Sequence, residues 1–262
     1  MQTTWLLPLR MLCLLGAFCA LPAQADRAFD ILARSDAIRN PQESFVVNVS
    51  LKQYEANKLT DENQVTTHSR QNKNGQFLTI VHIDKPTNDR GKLLLRNDNI
   101  LWFYDPKSKA SVRMSPRQRL LGNASNGDVI TSNFTLDYHA VLKGEETITD
   151  GERQQRPAWK LELSSISEFA PYKRVELWVD KENDRPLKGK FYGNSGKLLK
   201  VAWYRNWQTV FERVRPTEVV IGDGFNPNKV TLMQMSQYRQ KDLPLSWFNK
   251  EWLSHFTSQG ER

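Results

Sequence analysis

Cysteine is almost missing from this chain. Its 262 residues include two, Cys13 and Cys19, and both fall in an apolar leader. Past residue 19 there is no thiol, so disulfides, thiol chemistry and thiolate metal sites are excluded there. Histidine is nearly as sparse. His68, His82, His139 and His255 are far apart in sequence, without the HxxxH or HExxH spacing of a zinc site. Each reads as a structural or surface residue, and neither a metal nor a cofactor is expected.

Catalytic signatures are lacking too. Gly193-Asn194-Ser195-Gly196 misses the GxSxG spacing by one residue and sits where a hairpin turn needs glycine for its backbone. Gly222-Asp223-Gly224 is a lone turn rather than a phosphate loop. Asp180, Glu182 and Asp223 fall in turns and read as solvated. No motif argues for an enzyme.

Long apolar runs are also absent. The longest, Met11 to Leu21, is shorter than the roughly 20 residues that cross a bilayer. Arg10 precedes it, and Pro22-Ala23-Gln24-Ala25 follows with small residues where signal peptidase reads. Residues 1–25 are therefore expected to be a cleaved secretory signal, leaving one domain over residues 26–262. Phe18 before Cys19 and Leu12 before Cys13 argue against a lipidated cysteine. An exported, cysteine-free chain fits the bacterial periplasm. Its net charge is +8, but for an exported chain no nucleic-acid partner is expected. The basic cluster from Lys107 to Arg119 is interleaved with polar and apolar residues, as on a solvated face.

What the chain has in quantity is strand pattern. Asp26 to Asn40 reads as a helix, with Ala28, Ile31, Leu32, Ser35 and Ile38 on one face and Pro41 ending it. From Phe45 onward the period switches to two. About eleven strands follow, separated by turns, and no βαβ rhythm intervenes. The fold class is mainly β with a few helices (α+β), with an antiparallel sheet. A sheet that long curls, and helices packed into it give an incomplete barrel. The alternation stops between Ser115 and Leu142, where helices are expected at Arg117–Leu121 and Asn133–Leu142, with a polar loop between them. Trp247 to Phe256 reads as a closing helix.

The stretch from Gly91 to Tyr138 organises the rest. Leu93–Leu95 and Ile100–Tyr104 flank the turn Asn97-Asp98-Asn99, a hairpin signal. Both faces of the second strand carry large side chains, so each face needs an apolar neighbour. Ser115–Leu142 is the candidate cover. Phe77, Leu93, Leu95, Trp102, Tyr104, Phe134 and Tyr138 are the candidates to line one cavity; the same seven would also serve to fill a solid core.

The run Leu93-x-Leu95, Trp102-x-Tyr104-x-Pro106, Val112-Arg113, Arg119, Asn126-Gly127-Asp128, Asn133-Phe134 and Asp137-Tyr138 resembles the outer membrane lipoprotein-sorting family of LolA-like periplasmic proteins. The resemblance covers nearly all of residues 26–262 and is most specific over Gly91–Tyr138. It implies a LolA/LolB-like unclosed antiparallel barrel with helices over an apolar cavity. It also implies a soluble carrier that binds acyl chains of a lipid or lipoprotein, touches membranes transiently and sorts cargo toward the outer membrane. Divergent branches of the family go with inner-membrane exporters of the RND/MMPL type, which makes such an exporter a candidate partner. The alternative function is a non-enzymatic envelope adaptor that docks such an exporter.

Overall fold

Alternation at period two becomes one continuous antiparallel sheet. The structure is a computed structural model that describes residues 21–259 and, of their side chains, 27–256. The predicted signal, residues 1–25, lies largely outside the described residues. The first half supplies β1 (Phe45–Glu55), β2 (Lys58–Gln71), β3 (Phe77–Lys85), β4 (Leu93–Asn97), β5 (Ile100–Asp105) and β6 (Ala110–Met114). A short hairpin, β7 (Arg119–Leu121) and β8 (Ala124–Ser125), stands apart from the sheet. The second half supplies β9 (Tyr138–Thr149), β10 (Gln155–Ser165), β11 (Arg174–Asp180), β12 (Pro186–Tyr192), β13 (Leu198–Val210), β14 (Arg213–Asp223) and β15 (Lys229–Gln240).

Thirteen strands pair in the order β6-β5-β4-β3-β2-β1-β15-β14-β13-β12-β11-β10-β9. Each half is a meander, and the pairing of β1 with β15 joins them. The edges β6 and β9 do not pair with each other. The barrel is open along that seam, and residues 115–137, which connect the two edges in sequence, roof its concave side. The strand count exceeds the expected eleven, and the antiparallel, unclosed architecture is as expected. The hairpin of β7 and β8 supplies two of the additional strands, and a turn with little sequence signal lengthens β2. Ala56 and Asn57 both have positive φ, 48° and 65°, the pattern of a two-residue type I′ hairpin turn. β2 thus starts at Lys58, earlier than its polar sequence suggests.

Two helices predicted in the roof are replaced. Arg117–Leu121 ends in β7, which pairs with β8. Within Asn133–Leu142 only α3 (Phe134–Asp137) is helical, after the equally short α2 (Asn126–Val129). From Tyr138 the chain pairs with β10, Tyr138 opposite Ser165 and Ala140 opposite Leu163. Phe134, Tyr138 and Val141 have helical spacing, but Tyr138 and Ala140 are buried while His139 and Val141 are exposed. Cross-strand pairing overrides local propensity there.

The first helix, α1 (Leu21–Arg39), lies in the concave side against β9, β11, β12, β14 and α3. It buries Ala28, Ile31, Leu32 and Ser35 as its spacing predicts. Its C-terminal end is held by Arg215 of β14, whose Nη1 donates to the carbonyls of Ala37 at 2.8 Å and Ile38 at 2.9 Å. Those carbonyls lack helical partners and carry the negative end of the helix dipole, so a buried guanidinium there satisfies both. Among the described residues no helix is long and apolar enough to cross a membrane.

The convex side has its own apolar cluster. Val46, Leu78, Ile80, Leu93, Leu95 and Tyr104 pack against Leu243, Phe248, Leu253 and Phe256 of the C-terminal segment, with Trp102, Trp247 and Trp252 alongside. That segment is two 3-10 turns followed by α4 (Leu253–Gln259), in place of the single closing helix expected. His68 of β2 is buried beneath it, edge-on to Phe256 at 5.1 Å between centroids. Burial, reinforced by Lys241, His82 and Arg239 and opposed by Asp84, lowers its pKa to about 4. An unfolded histidine titrates near pH ~6.5. The unfolded state therefore binds the extra proton first as pH falls, and stability drops between those two values by up to about 3 kcal/mol. His68→Phe is expected to match the wild type in urea unfolding at neutral pH and to exceed it at acidic pH, where the wild type alone loses this contribution.

Candidate functional site

Between the sheet and its roof lies an apolar cavity of about 130 Å³. Its floor is the inward-facing row of the central strands: Val47 and Val49 of β1, Ala202 and Tyr204 of β13, Val219 and Ile221 of β14, and Met233 and Met235 of β15. Its roof is Gly127 to Thr131 with Phe134. Gly127 is required by close approach, since a Cβ there would lie 2.9 Å from Pro171 and 3.1 Å from the Pro116 carbonyl.

Both ends of the cavity are polar. At one end Asp36 accepts the Phe134 N–H at 2.5 Å. Arg39 and Asn40 donate to the Ser132 carbonyl at 2.7 and 2.8 Å, and the Arg39 guanidinium stacks 3.8 Å from the Phe134 ring. These contacts tie α1 to the roof. At the other end Lys200 of β13 points inward and pairs with Asp128 of α2. Asp128 also accepts the Tyr172 hydroxyl at 2.9 Å and the Ser125 N–H at 2.7 Å. Burial pushes the Lys200 ammonium pKa down against the pull of Asp128, and pushes the Tyr172 phenol well up.

A third polar group bridges the seam. Arg96 of β4 reaches inward to Asp137 at 3.4 Å, to Ser132 Oγ at 3.1 Å and to the Thr131 carbonyl at 3.3 Å, and lies 3.8 Å over the Phe169 ring. One half of the sheet is thereby joined to the start of β9 in the other, where no strand pairing does so.

Of the seven candidate lining residues, Phe134 lines the cavity. Phe77 and Tyr138 belong to the same concave core, behind the lining, with Tyr138 5.2 Å from Phe134 between ring centroids. Leu93, Leu95, Trp102 and Tyr104 are turned the other way. Leu93 stands opposite Tyr104 and Leu95 opposite Trp102 in the β4–β5 ladder, and all four face the C-terminal segment. The inward face of that hairpin is Leu94, Leu101 and Phe103. The two-faced hairpin does have a cover on each side, but residues 243–256 cover the face assigned to the cavity. Lys200, Tyr172 and Asp128 were missed from the sequence. Lys200-x-Ala202-x-Tyr204 does place the lysine on the apolar face of a period-two strand, which was a usable signal.

The molecule is thus an open antiparallel barrel with a helix and a roof inside it, enclosing an apolar cavity. The chain belongs to the LolA superfamily. A LolA superfamily protein from Nitrosomonas europaea is 34% identical, with 86% of this chain and 98% of that one covered and a TM-score of 0.77. A domain described as an outer membrane lipoprotein-sorting protein from Vibrio parahaemolyticus shares the fold at 20% identity, covering 88% of this chain and 99% of that one, TM-score 0.73. A DUF1329 family protein from Desulfovibrio piger does so at 18% identity, covering 88% and 99%, TM-score 0.72. A family model described only as an uncharacterized protein matches residues 75–255. No curated protein matches the chain.

Proposed function

We propose that this protein is a periplasmic carrier that takes up an acyl chain of a lipid or lipoprotein in the cavity and releases it at a membrane or a partner. The observation that carries the proposal is the apolar cavity between the central strands and a roof made of short elements. Each methylene moved into it from water contributes about 0.8 kcal/mol, so a partly inserted chain suffices for a reversible complex. A volume of 130 Å³ is close to the roughly 150 Å³ that holds a benzene-sized ligand. On this reading a full acyl chain enters only as α1 and residues 115–137 lift from the floor. The secretory signal expected over residues 1–25 supports the periplasmic assignment. An adaptor that docks an exporter would call for a filled barrel, and the cavity argues for the carrier instead.

Native mass spectrometry of the protein purified from its host envelope is expected to show acyl adducts; an unliganded mass throughout would count against carriage. A filling substitution tests the cavity itself. In Ala202→Phe the ring enters empty space, so the melting temperature is expected to hold within a few degrees while fatty-acid affinity falls about tenfold or more. Unchanged affinity would place the cargo elsewhere.

A further inference from the structure

One carboxylate in the cavity is held as a ligand carboxylate would be. Asp128 accepts from the Lys200 ammonium, from the Tyr172 hydroxyl at 2.9 Å and from the Ser125 N–H at 2.7 Å. Lys200 belongs to β13 of the wall and Tyr172 to the β10–β11 connection beside it; Asp128 belongs to the roof. The Lys200 ammonium also lies 4.6 Å from the Tyr172 ring and 5.1 Å from the Phe191 ring. Among the described residues Asp128 is its only ionic partner.

Exposure within the pair is unequal. The Lys200 side chain is 4% accessible and that of Asp128 12%. Asp128, on the short α2 of the roof, is the more water-exposed partner, whereas Lys200 is fixed in a central strand of the sheet. A buried ammonium without a counter-charge is strongly unfavourable. Any movement that lifts the roof for cargo withdraws Asp128 and leaves Lys200 in that position. A neutral cargo does nothing to relieve it, and a cargo with a negative head does.

We infer that the cavity selects acyl cargo with a carboxylate head, which replaces Asp128 on Lys200 Nζ and the Tyr172 hydroxyl while the chain runs along Val219, Ile221 and Met233. Asp128 is then a built-in stand-in that neutralises Lys200 between cargoes. This selectivity rests on the carrier reading above and adds to it the chemistry of the head group.

Calorimetric titration of the full chain with dodecanoic acid and with its methyl ester at neutral pH tests the inference. The wild type is expected to bind the acid about tenfold more tightly than the ester. Lys200→Met is expected to bring the acid down to the ester's affinity and leave the ester within about twofold. Asp128→Asn, which removes the internal competitor, is expected to tighten the acid alone. The double variant K200M/D128N carries neither charge, so it keeps the test valid if a single variant fails to fold; it is expected to bind both ligands equally. Excess acetate is expected not to displace dodecanoate. Equal binding of acid and ester by the wild type would overturn the inference and leave carriage standing. Displacement by acetate would overturn the acyl part, showing a small-anion site. Binding of neither ligand would remove the carrier reading and this inference with it.

Discussion

Replacing Arg96 by methionine is expected to destabilise the protein by about 3–5 kcal/mol, the usual consequence of removing one partner of a buried ion pair. Arg96 is 0% exposed and Asp137 1%. Burial pulls both away from their charged forms: the Arg96 pKa is lowered and the Asp137 pKa raised, with each partner opposing the other's shift. Without Arg96 the Asp137 carboxylate keeps the Gln76 amide at 3.1 Å but loses its counter-charge, so its pKa rises further. The sign of the pH dependence follows. A carboxyl group whose folded pKa lies above its unfolded value binds a proton in the native state first. The variant is therefore least impaired at acidic pH and loses stability as pH rises through the folded pKa. Urea unfolding across that range checks both statements. The double variant R96M/D137L replaces the pair by apolar groups and is expected to recover most of the loss. If Asp137→Asn alone unfolds at the wild-type midpoint, the pair is not what holds the seam. The pair also matters for function, because it fixes the lower end of the roof to the opposite half of the barrel.

The second large effect lies on the other face of the sheet. Phe248→Ala is expected to cost about 3–5 kcal/mol, as large-to-small changes at buried aromatic positions do, and to leave acyl affinity unchanged. Phe248 is buried with Leu93, Leu95 and Tyr104, and its carbonyl accepts the Asn97 amide at 2.7 Å. Arg70 reaches the Leu243 carbonyl from β2 and holds the start of the same segment. Loosening this cover exposes the hairpin's convex face, so increased binding of a hydrophobic dye should accompany the lost stability. Acyl titration decides between the two faces. A large drop in affinity in a folded Phe248→Ala protein would return Leu93, Leu95, Trp102 and Tyr104 to the cargo site; constant affinity leaves them as structural core. Phe134 provides the contrast, because it lines the cavity.

Most of the sheet was legible because its residues obey a local rule. Phe45, Val47, Val49 and Leu51 alternate with Val46, Asn48, Ser50 and Lys52, and the first row is buried in the concave core, whereas Val46 alone of the second is buried, on the other face. The helical spacing of Ala28, Ile31, Leu32 and Ser35 likewise marks the side of α1 that meets the barrel. The seam was legible indirectly, since alternation stops after Met114 in the connection between the two edge strands. The candidate site was less so. Lys200, Asp128 and Tyr172 come from β13, α2 and the β10–β11 connection, and only the fold brings them to one end of one cavity.

An antiparallel, mainly β chain, a helix ahead of it, an interruption that becomes the roof, and the resemblance to the LolA superfamily were all readable along the chain. Each depends on spacing along the chain, which period and turn chemistry report directly. Tertiary structure alone decided which face of the Leu93–Tyr104 hairpin looks into the barrel. Alternation at period two is unchanged when the two faces are exchanged, and here both are apolar, so the choice fell to whatever packs against each. It also decided that residues 138–142 are strand, because pairing with β10 outweighed helical spacing. And it turned a lysine in an alternating strand into a buried charge facing the Asp128 carboxylate, since burial is a property of the curled sheet and its roof together.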